Sequence, residues 1–267
     1  MSIDKAATQR PPYVQGRGLL EDRTVVVTAG AGAGIGGSAA RRCLEEGARA
    51  VVIGDVHARR LAGIQEELSA AHGSDRVATA VCDASKESEV QALFERAESF
   101  GGVDVLLNNA GLANTVAIQD MSDEEWSRVI DVTLTSVFRC TRAAAQRMIA
   151  RDAGGVIVNN ASIVAWQPPA GLSHYAAAKG GVMAFTRASA VDLAPHGIRV
   201  NAVSPSLAMH PHLVKVTSQE LLDQMTANEP FGRPAEPWEV ANVMVFLASG
   251  YSSYMTGEVV SVSSQNP

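Results

Sequence analysis

The chain has little of what would tie it to an oxidising compartment, a nucleic acid or a membrane. Cysteine is scarce: Cys43, Cys82 and Cys140 stand far apart, each in an apolar stretch, and their number is odd. That argues against a disulfide framework or a cysteine-built metal site, and predicts reduced, structural thiols in a cytoplasmic protein. Positive charge is also short. Twenty-two Lys and Arg face 28 Asp and Glu, a net charge of −6, so no basic excess exists to neutralise phosphates and no nucleic-acid partner is expected. No run approaches the ~20 apolar residues of a membrane span, so no membrane partner is expected either. Repeats and low-complexity segments are absent. Residues 1–18, with Pro11, Pro12, Gly16 and Gly18, lack the apolar core of a signal peptide and read as a flexible arm. The chain as a whole is 46% apolar and 19% charged, ordinary for a globular protein, and residues 19–267 fit one large domain.

Within that domain, short β-branched runs alternate with longer helical patterns. Strands are predicted over 24–28, 50–53, 76–81, 103–107, 155–159, 198–202 and 258–262. Helices are predicted over 38–46, 61–68, 90–100, 123–150, 174–193 and 239–248. About seven strands separated by helices make an α/β protein: a doubly wound, Rossmann-type parallel sheet covered on both faces. Such sheets bind ligands beyond the carboxyl ends of their strands. The long irregular stretch 206–236, broken by a helical piece over 219–227, reads as a lid above that edge.

Tyr175 and Lys179 are four apart in a helical pattern and so share one face. A neighbouring ammonium would stabilise phenolate and lower the tyrosine pKa, making Tyr175 a candidate general acid/base. That spacing is a weak signal alone. The segment from Thr28 through Gly30, Gly32 and Gly34 to Gly36 follows the first strand and opens the first helix, the order a dinucleotide-binding turn requires. Gly30, Gly34, Ile35 and Gly36 are its candidate cofactor contacts. Asp55, nineteen positions after Gly36, can accept hydrogen bonds from both ribose hydroxyls and would repel a 2′-phosphate, which favours NAD. Arg59 and Arg60 follow closely, either as the solvated start of a helix or as receivers of a phosphate.

Taken with Cys82-Asp83, Asn108-Asn109-Ala110-Gly111, Ser162, the run 199–205 and Phe231-Gly232-Arg233-Pro234, these motifs resemble the classical short-chain dehydrogenase/reductase family over residues 20–263. The resemblance implies that Tyr175 exchanges a proton with the substrate oxygen, that Ser162 hydrogen-bonds the same oxygen, and that Lys179 holds the nicotinamide ribose. It implies that Asp83 and Ala84 lie at the adenine, that Asn109, Ala110 and Gly111 line the cleft, and that Pro205, Ser206, Ala208 and His210 approach the nicotinamide end. A homotetramer follows from the same resemblance. Simpler readings stand beside these: Ser162 as a strand-end turn residue, Asp83 as a helix N-cap, and 109–111 as a turn.

The chain also departs from the family pattern. Five residues, not four, separate Thr28 from Gly34, so the loop must bulge. Thr133 stands where a catalytic asparagine is usual; its hydroxyl could hold a water in a proton relay but offers no amide. Ser206 replaces a glycine and His210 a threonine. Leu112, Trp166, Gln167, Leu207 and Met209 are candidate substrate contacts or, equally, lid packing. His212 and Lys215 could meet an acidic tail or a CoA phosphate. The extra loop residue and the serine-rich C-terminus resemble a subgroup linked to steroid-ring catabolism, acting on hydroxylated indane acids or their CoA thioesters. The expected reaction is hydride transfer between NAD(H) and a secondary alcohol or ketone, without a metal. The alternatives are an NADP-dependent 3-oxoacyl-thioester reductase and a non-catalytic nucleotide-binding subunit.

Overall fold

Uninterrupted runs such as Thr24–Thr28 leave no polar face, so the strands they form must be covered on both sides. The computed structural model describes residues 10–216 and 218–264. Residues 1–9 of the predicted arm and the side chain of His212 lie outside the described residues. The strands are β1 (Thr24–Thr28), β2 (Ala50–Asp55), β3 (Val77–Val81), β4 (Val105–Asn108), β5 (Gly155–Asn160), β6 (Ile198–Pro205) and β7 (Val259–Val262). All pairings are parallel, in the order β3-β2-β1-β4-β5-β6-β7. The order reverses between β1 and β4, which opens a crevice at their carboxyl ends. Thr28, Asp55, Asn108, Asn160 and Pro205 are the residues that end strands along that edge.

Helices α1 (Ile35–Glu45), α2 (Ala58–His72), α3 (Glu87–Glu98), α4 (Asp123–Ile130), α5 (Ser136–Ala150) and α6 (Ser173–Leu193) cover the sheet. Two short lid helices, α7 (Pro211–Val216) and α8 (Gln219–Ala227), precede α9 (Pro237–Ala248). One core joins Ala39, Cys43 and Leu44 of α1 to Val240, Ala241 and Met244 of α9 beneath the sheet. A second joins Phe94 of α3 to Cys140, Ala144 and Met148 of α5, and a third, smaller one joins Val137 of α5 to Val182 and Met183 of α6. All three cysteines are free and buried. Among the described residues, no helix is long and apolar enough to cross a membrane.

The single helix predicted over 123–150 is instead two α-helices joined by a π-helical turn, Asp131–Thr135. Its cause is tertiary. Thr133 is fully buried, and its hydroxyl is held by the main chain of Leu112 across the crevice. α4 itself starts where sequence says it should, on a capping box between Ser122 and Glu125.

Residues 10–18, read as part of a flexible arm, are tied down in this structure. Glu46, buried completely, accepts from the N–H groups of Arg17 (2.7 Å) and Leu19 (3.1 Å), while Arg42 donates to it (2.5 Å) and to the carbonyls of Val14 and Gln15. The Tyr13 hydroxyl donates to Glu45, and its ring meets Trp238 edge-on at 5.2 Å. Burial works against the Glu46 charge, but the two N–H donors and Arg42 outweigh it and hold its pKa below the usual carboxylate range. Because that pKa is lowered on folding, its contribution to stability is present above the unfolded value and lost as pH falls through the folded one. Replacing Glu46 by alanine takes from the buried Arg42 its nearer carboxylate, leaving Glu45 at 3.5 Å, and leaves the N–H groups of Arg17 and Leu19 without their acceptor; it should cost about 3 kcal/mol in urea unfolding at pH 7. The difference from wild type should shrink on acidification; a pH-independent difference would contradict this account.

Candidate active site

β5 ends at Asn160, and the chain passes through Ala161 to Ser162, which caps the short turn Ile163–Ala165 by accepting from Val164 N at 3.2 Å. α6 begins at Ser173 and presents Tyr175 and Lys179 one turn apart toward this point. Ser162 hydrogen-bonds the Tyr175 hydroxyl, and Lys179 Nζ lies 5.6 Å from the centre of the tyrosine ring. Lys179 is 2% exposed and donates to the main-chain carbonyl of Asn160. Gly111 completes the cluster: a Cβ there would stand 3.4 Å from Lys179 Nζ and 3.9 Å from Thr133 Cγ2. The structure therefore brings Ser162, Tyr175, Lys179, Gly111 and Thr133 to one place.

The electrostatics differ from the sequence-based expectation. Burial pushes the Tyr175 phenol up to about 12, with the Ser162 hydrogen bond opposing it, and brings Lys179 down to about 7. Lys179 does not depress the Tyr175 pKa here because its own charge is disfavoured by the same burial. Thr133 also serves as a strut: its oxygen accepts from Leu112 N (3.0 Å) and its one proton goes to Leu112 O (3.2 Å), which ties α4–α5 to the loop after β4 and leaves one lone pair to accept from a water.

The glycine segment bulges at Ala29, whose φ of +51° is a left-handed conformation that favours glycine. A Cβ on Gly36 would collide with the Ala29 carbonyl and the Asn109 amide, so only glycine fits beneath the bulge. Gly32 and Gly34 differ: a Cβ on either would meet nothing nearer than 3.8 and 3.7 Å respectively. The loop is thus open at Gly32 and roofed at van der Waals distance by the His210 ring at Gly34, and α1 starts at Ile35 behind Gly34 with no side-chain cap. That combination of open backbone and unclaimed helix N–H groups fits a pyrophosphate. Gly30 is held from inside, its N–H on Gly54 O at 3.2 Å. Thr28 Oγ1 accepts from Asn109 N (2.9 Å) and Ala110 N (3.1 Å), closing the crevice floor between β1 and β4.

Asp55 stands at the edge of this cradle and accepts from Ala31 N (3.2 Å) and His57 N (3.0 Å). Burial raises its pKa, while the Ala31 N–H and the Arg60 charge pull the other way. Arg60 is near: its guanidinium would be 3.9 Å from a Cβ on Gly32. Asp83 accepts from Ser85 N (3.0 Å) and Oγ (2.7 Å) in a turn ahead of α3, beside a buried Ala84; it is not the helix N-cap, which is Lys86.

The lid is zipped at its base. Ala208 bridges Ala235, Met209 N donates to Ala235 O (3.0 Å), and Ser206 N donates to Val262 O (3.1 Å). Leu207, a candidate substrate contact, is instead 7% exposed, its N–H held by Glu229 and its carbonyl by Ala235; it belongs to the lid's packing. His210 Nδ1 accepts from Leu213 N at 3.3 Å, and its ring covers Gly34. Trp166 and Gln167 are exposed, and Leu112 and Met209 half-buried. Sequence reasoning missed the staple behind this pocket, in which His174 Nε2 meets Asn114 Oδ1 (3.2 Å) and Asn114 Nδ2 donates to Glu125 (3.1 Å). It also missed Asn160, whose signal was a polar residue ending an apolar strand. Among the described residues no three His, Cys, Asp or Glu side chains are grouped to hold a metal.

Comparison with known proteins agrees with this geometry. The family described as Enoyl-(Acyl carrier protein) reductase matches residues 30–264. A (5R,7aS)-5-hydroxy-7a-methyl-1-oxo-2,3,5,6,7,7a-hexahydro-1H-indene-carboxyl-CoA reductase of Mycobacterium tuberculosis is 55% identical, covering 96% of this chain and 98% of the relative. A cis-4-hydroxycyclohexanecarboxylate dehydrogenase of Sinomonas cyclohexanicum is 41% identical, covering 90% and 95%. A crystal structure of a short chain dehydrogenase from Mycobacterium smegmatis superposes with a TM-score of 0.87 at 50% identity, covering 98% of this chain and 100% of that one.

The buried lysine generates a prediction independent of substrate. Its folded pKa, about 7, lies below the ordinary lysine value. Below pH 7 both states are protonated and the cost of a buried charge is full. Between pH 7 and about 10 the unfolded state holds the extra proton, so stability rises with pH. Lys179→Met should therefore melt higher than wild type at pH 6, with an advantage that shrinks by pH 9. An advantage that stays constant or grows would contradict the assignment.

Proposed function

The chain belongs to the short-chain dehydrogenase/reductase family, and on that premise we propose that it transfers hydride between NAD(H) and a secondary alcohol or ketone on an alicyclic ring carried as an acid or a CoA thioester. The observation that carries the proposal is the meeting of Ser162, Tyr175 and Lys179 beside an open glycine cradle. Ser162 and the Tyr175 hydroxyl together hold the substrate oxygen, and Tyr175 exchanges the proton with it. NAD⁺, when bound, supplies the hydride acceptor and a positive charge close to Tyr175. Lys179, poised near neutrality, can take up a proton there, and as ammonium it favours phenolate. The low dielectric that raises the phenol pKa also strengthens that attraction.

Asp55 supports NAD, since a carboxylate at the end of β2 beside the glycine loop can accept from both ribose hydroxyls and would repel a 2′-phosphate. The indene-carboxyl-CoA and hydroxycyclohexanecarboxylate relatives support a saturated ring bearing a carboxyl-derived group, and the half-buried Leu112 and Met209 suit such a ring. The resemblance supports a homotetramer, and exposed Phe138 and Val191 on the helical surface suit one. The buried thiols suit a cytoplasmic setting. One observation favours a second reading, NADP dependence: Arg60 reaches the glycine loop beside Asp55.

Titration of the purified protein with NADH and NADPH by cofactor fluorescence separates the two readings. NADH should bind at least about tenfold more tightly, the scale of one charge-assisted hydrogen bond. Tighter NADPH binding would move Arg60 into the site and overturn the NAD proposal. Tyr175→Phe should lower turnover of ring alcohols about 10²–10⁴-fold while leaving NADH binding within twofold. Equal turnover by wild type and variant would remove Tyr175 from the chemistry, and no turnover by wild type would favour a non-catalytic subunit.

A further inference from the structure

We propose that Asn160 is a positioning residue that locks the bulged glycine loop to Lys179, so that the pyrophosphate cradle and the ribose-side lysine keep a fixed separation. The proposal rests on the dinucleotide reading above and adds a residue that reading does not use. Asn160 ends β5, is 9% exposed, and works with two different groups. Its main-chain carbonyl takes the hydrogen bond from Lys179 Nζ. Its side-chain Nδ2 donates to Asn109 Oδ1 at 3.0 Å. Asn109 Nδ2 in turn donates to the carbonyl of Ala29 at 3.1 Å.

The logic of this chain lies in Ala29. It carries the loop's bulge, in a left-handed conformation without being glycine. Such a residue persists only where its surroundings over-determine it. Its carbonyl lies beyond the end of β1 and, like any buried main-chain acceptor, needs a donor. Asn109 is that donor, but a carboxamide can turn over and present oxygen instead, which would set two acceptors against each other. Asn160 prevents the turn because its own Nδ2 requires the Asn109 oxygen. The Oδ1 of Asn160 has no hydrogen-bond partner among the described residues. Its amide is thus held by one bond and by packing, and the unpaired acceptor stands at the place where the loop and the lysine are joined. Gly36 supports the same chain from below, since any Cβ there would displace the Asn109–Ala29 bond.

The test separates the pyrophosphate-and-ribose end of a dinucleotide from its adenosine end. ADP-ribose carries the pyrophosphate and the second ribose, whereas adenosine, with neither phosphate, reaches only the Asp55 side. In Asn160→Leu, which keeps the main-chain carbonyl and the approximate volume, the Kd for ADP-ribose should rise about tenfold, the worth of one neutral hydrogen bond. The Kd for adenosine should stay within twofold. Asn160→Ser, smaller and polar but too short to reach Asn109, should show the same split and serves if the leucine variant does not fold. Unchanged ADP-ribose binding in a folded variant, or equal weakening of both ligands, would overturn the positioning role while leaving the dinucleotide reading intact. If wild type binds no ADP-ribose, the dinucleotide reading fails and this inference fails with it.

Discussion

An amine buried at the carboxyl edge of a parallel sheet must find an acceptor, and Lys179 finds it in the main-chain carbonyl of Asn160. That contact joins α6 to the end of β5, beside the Asn159–Thr186 hydrogen bond and the packing of Val182 and Met183, and helps to set where Tyr175 stands relative to Ser162. It also places the lysine beside Gly111, next to the floor that Thr28 makes with Asn109 and Ala110. If Lys179 were exposed, its charge would be ordinary and its position loose. Burial trades charge for position: the amine sits near neutrality, the phenol is held protonated, and both wait in fixed geometry. A site of this kind is arranged for a charge that arrives with its ligand.

The extra residue of the glycine loop fits the same scheme. A bulge could have loosened the cradle, yet Ala29 is held through Asn109, and Ala31 N is held by Asp55. Asp55 therefore supports the bulge from within, and under the proposed function it has a second task at the adenosine ribose. The lid adds cover rather than rigidity: its base is zipped at Ala208 and Ala235, and His210 lies across Gly34.

Much of this was legible in the sequence because the signals are local. Strands buried on both faces need continuous β-branched runs, so β1 and β2 could be placed within a few residues. The glycine segment, Asp55 and the Tyr175–Lys179 pair were found because their chemistry demands fixed spacing. What was not legible depends on partners far along the chain. The π-helical turn at Asp131–Thr135 arises from Thr133 meeting Leu112, and no helical pattern carries that contact. Arg42 and Glu46 look like a surface pair four apart, but they are buried beneath residues 14–19, whose backbone they satisfy. The Tyr175 pKa was misjudged in direction because spacing reveals a neighbouring charge and conceals desolvation. Leu207 looked like a pocket residue since apolar character alone cannot distinguish a wall from a hinge.

The central claim is that the acid/base pair is completed by the bound cofactor, with Tyr175 held as phenol in the free protein. Ultraviolet difference titration of tyrosinate, with and without saturating NAD⁺ and with Tyr175→Phe as the reference, tests it directly. The account predicts that NAD⁺ moves one tyrosine's midpoint from about 12 to a value several units lower, and that this signal is missing in the variant. A midpoint unchanged by NAD⁺, or an equal shift in the variant, would contradict it.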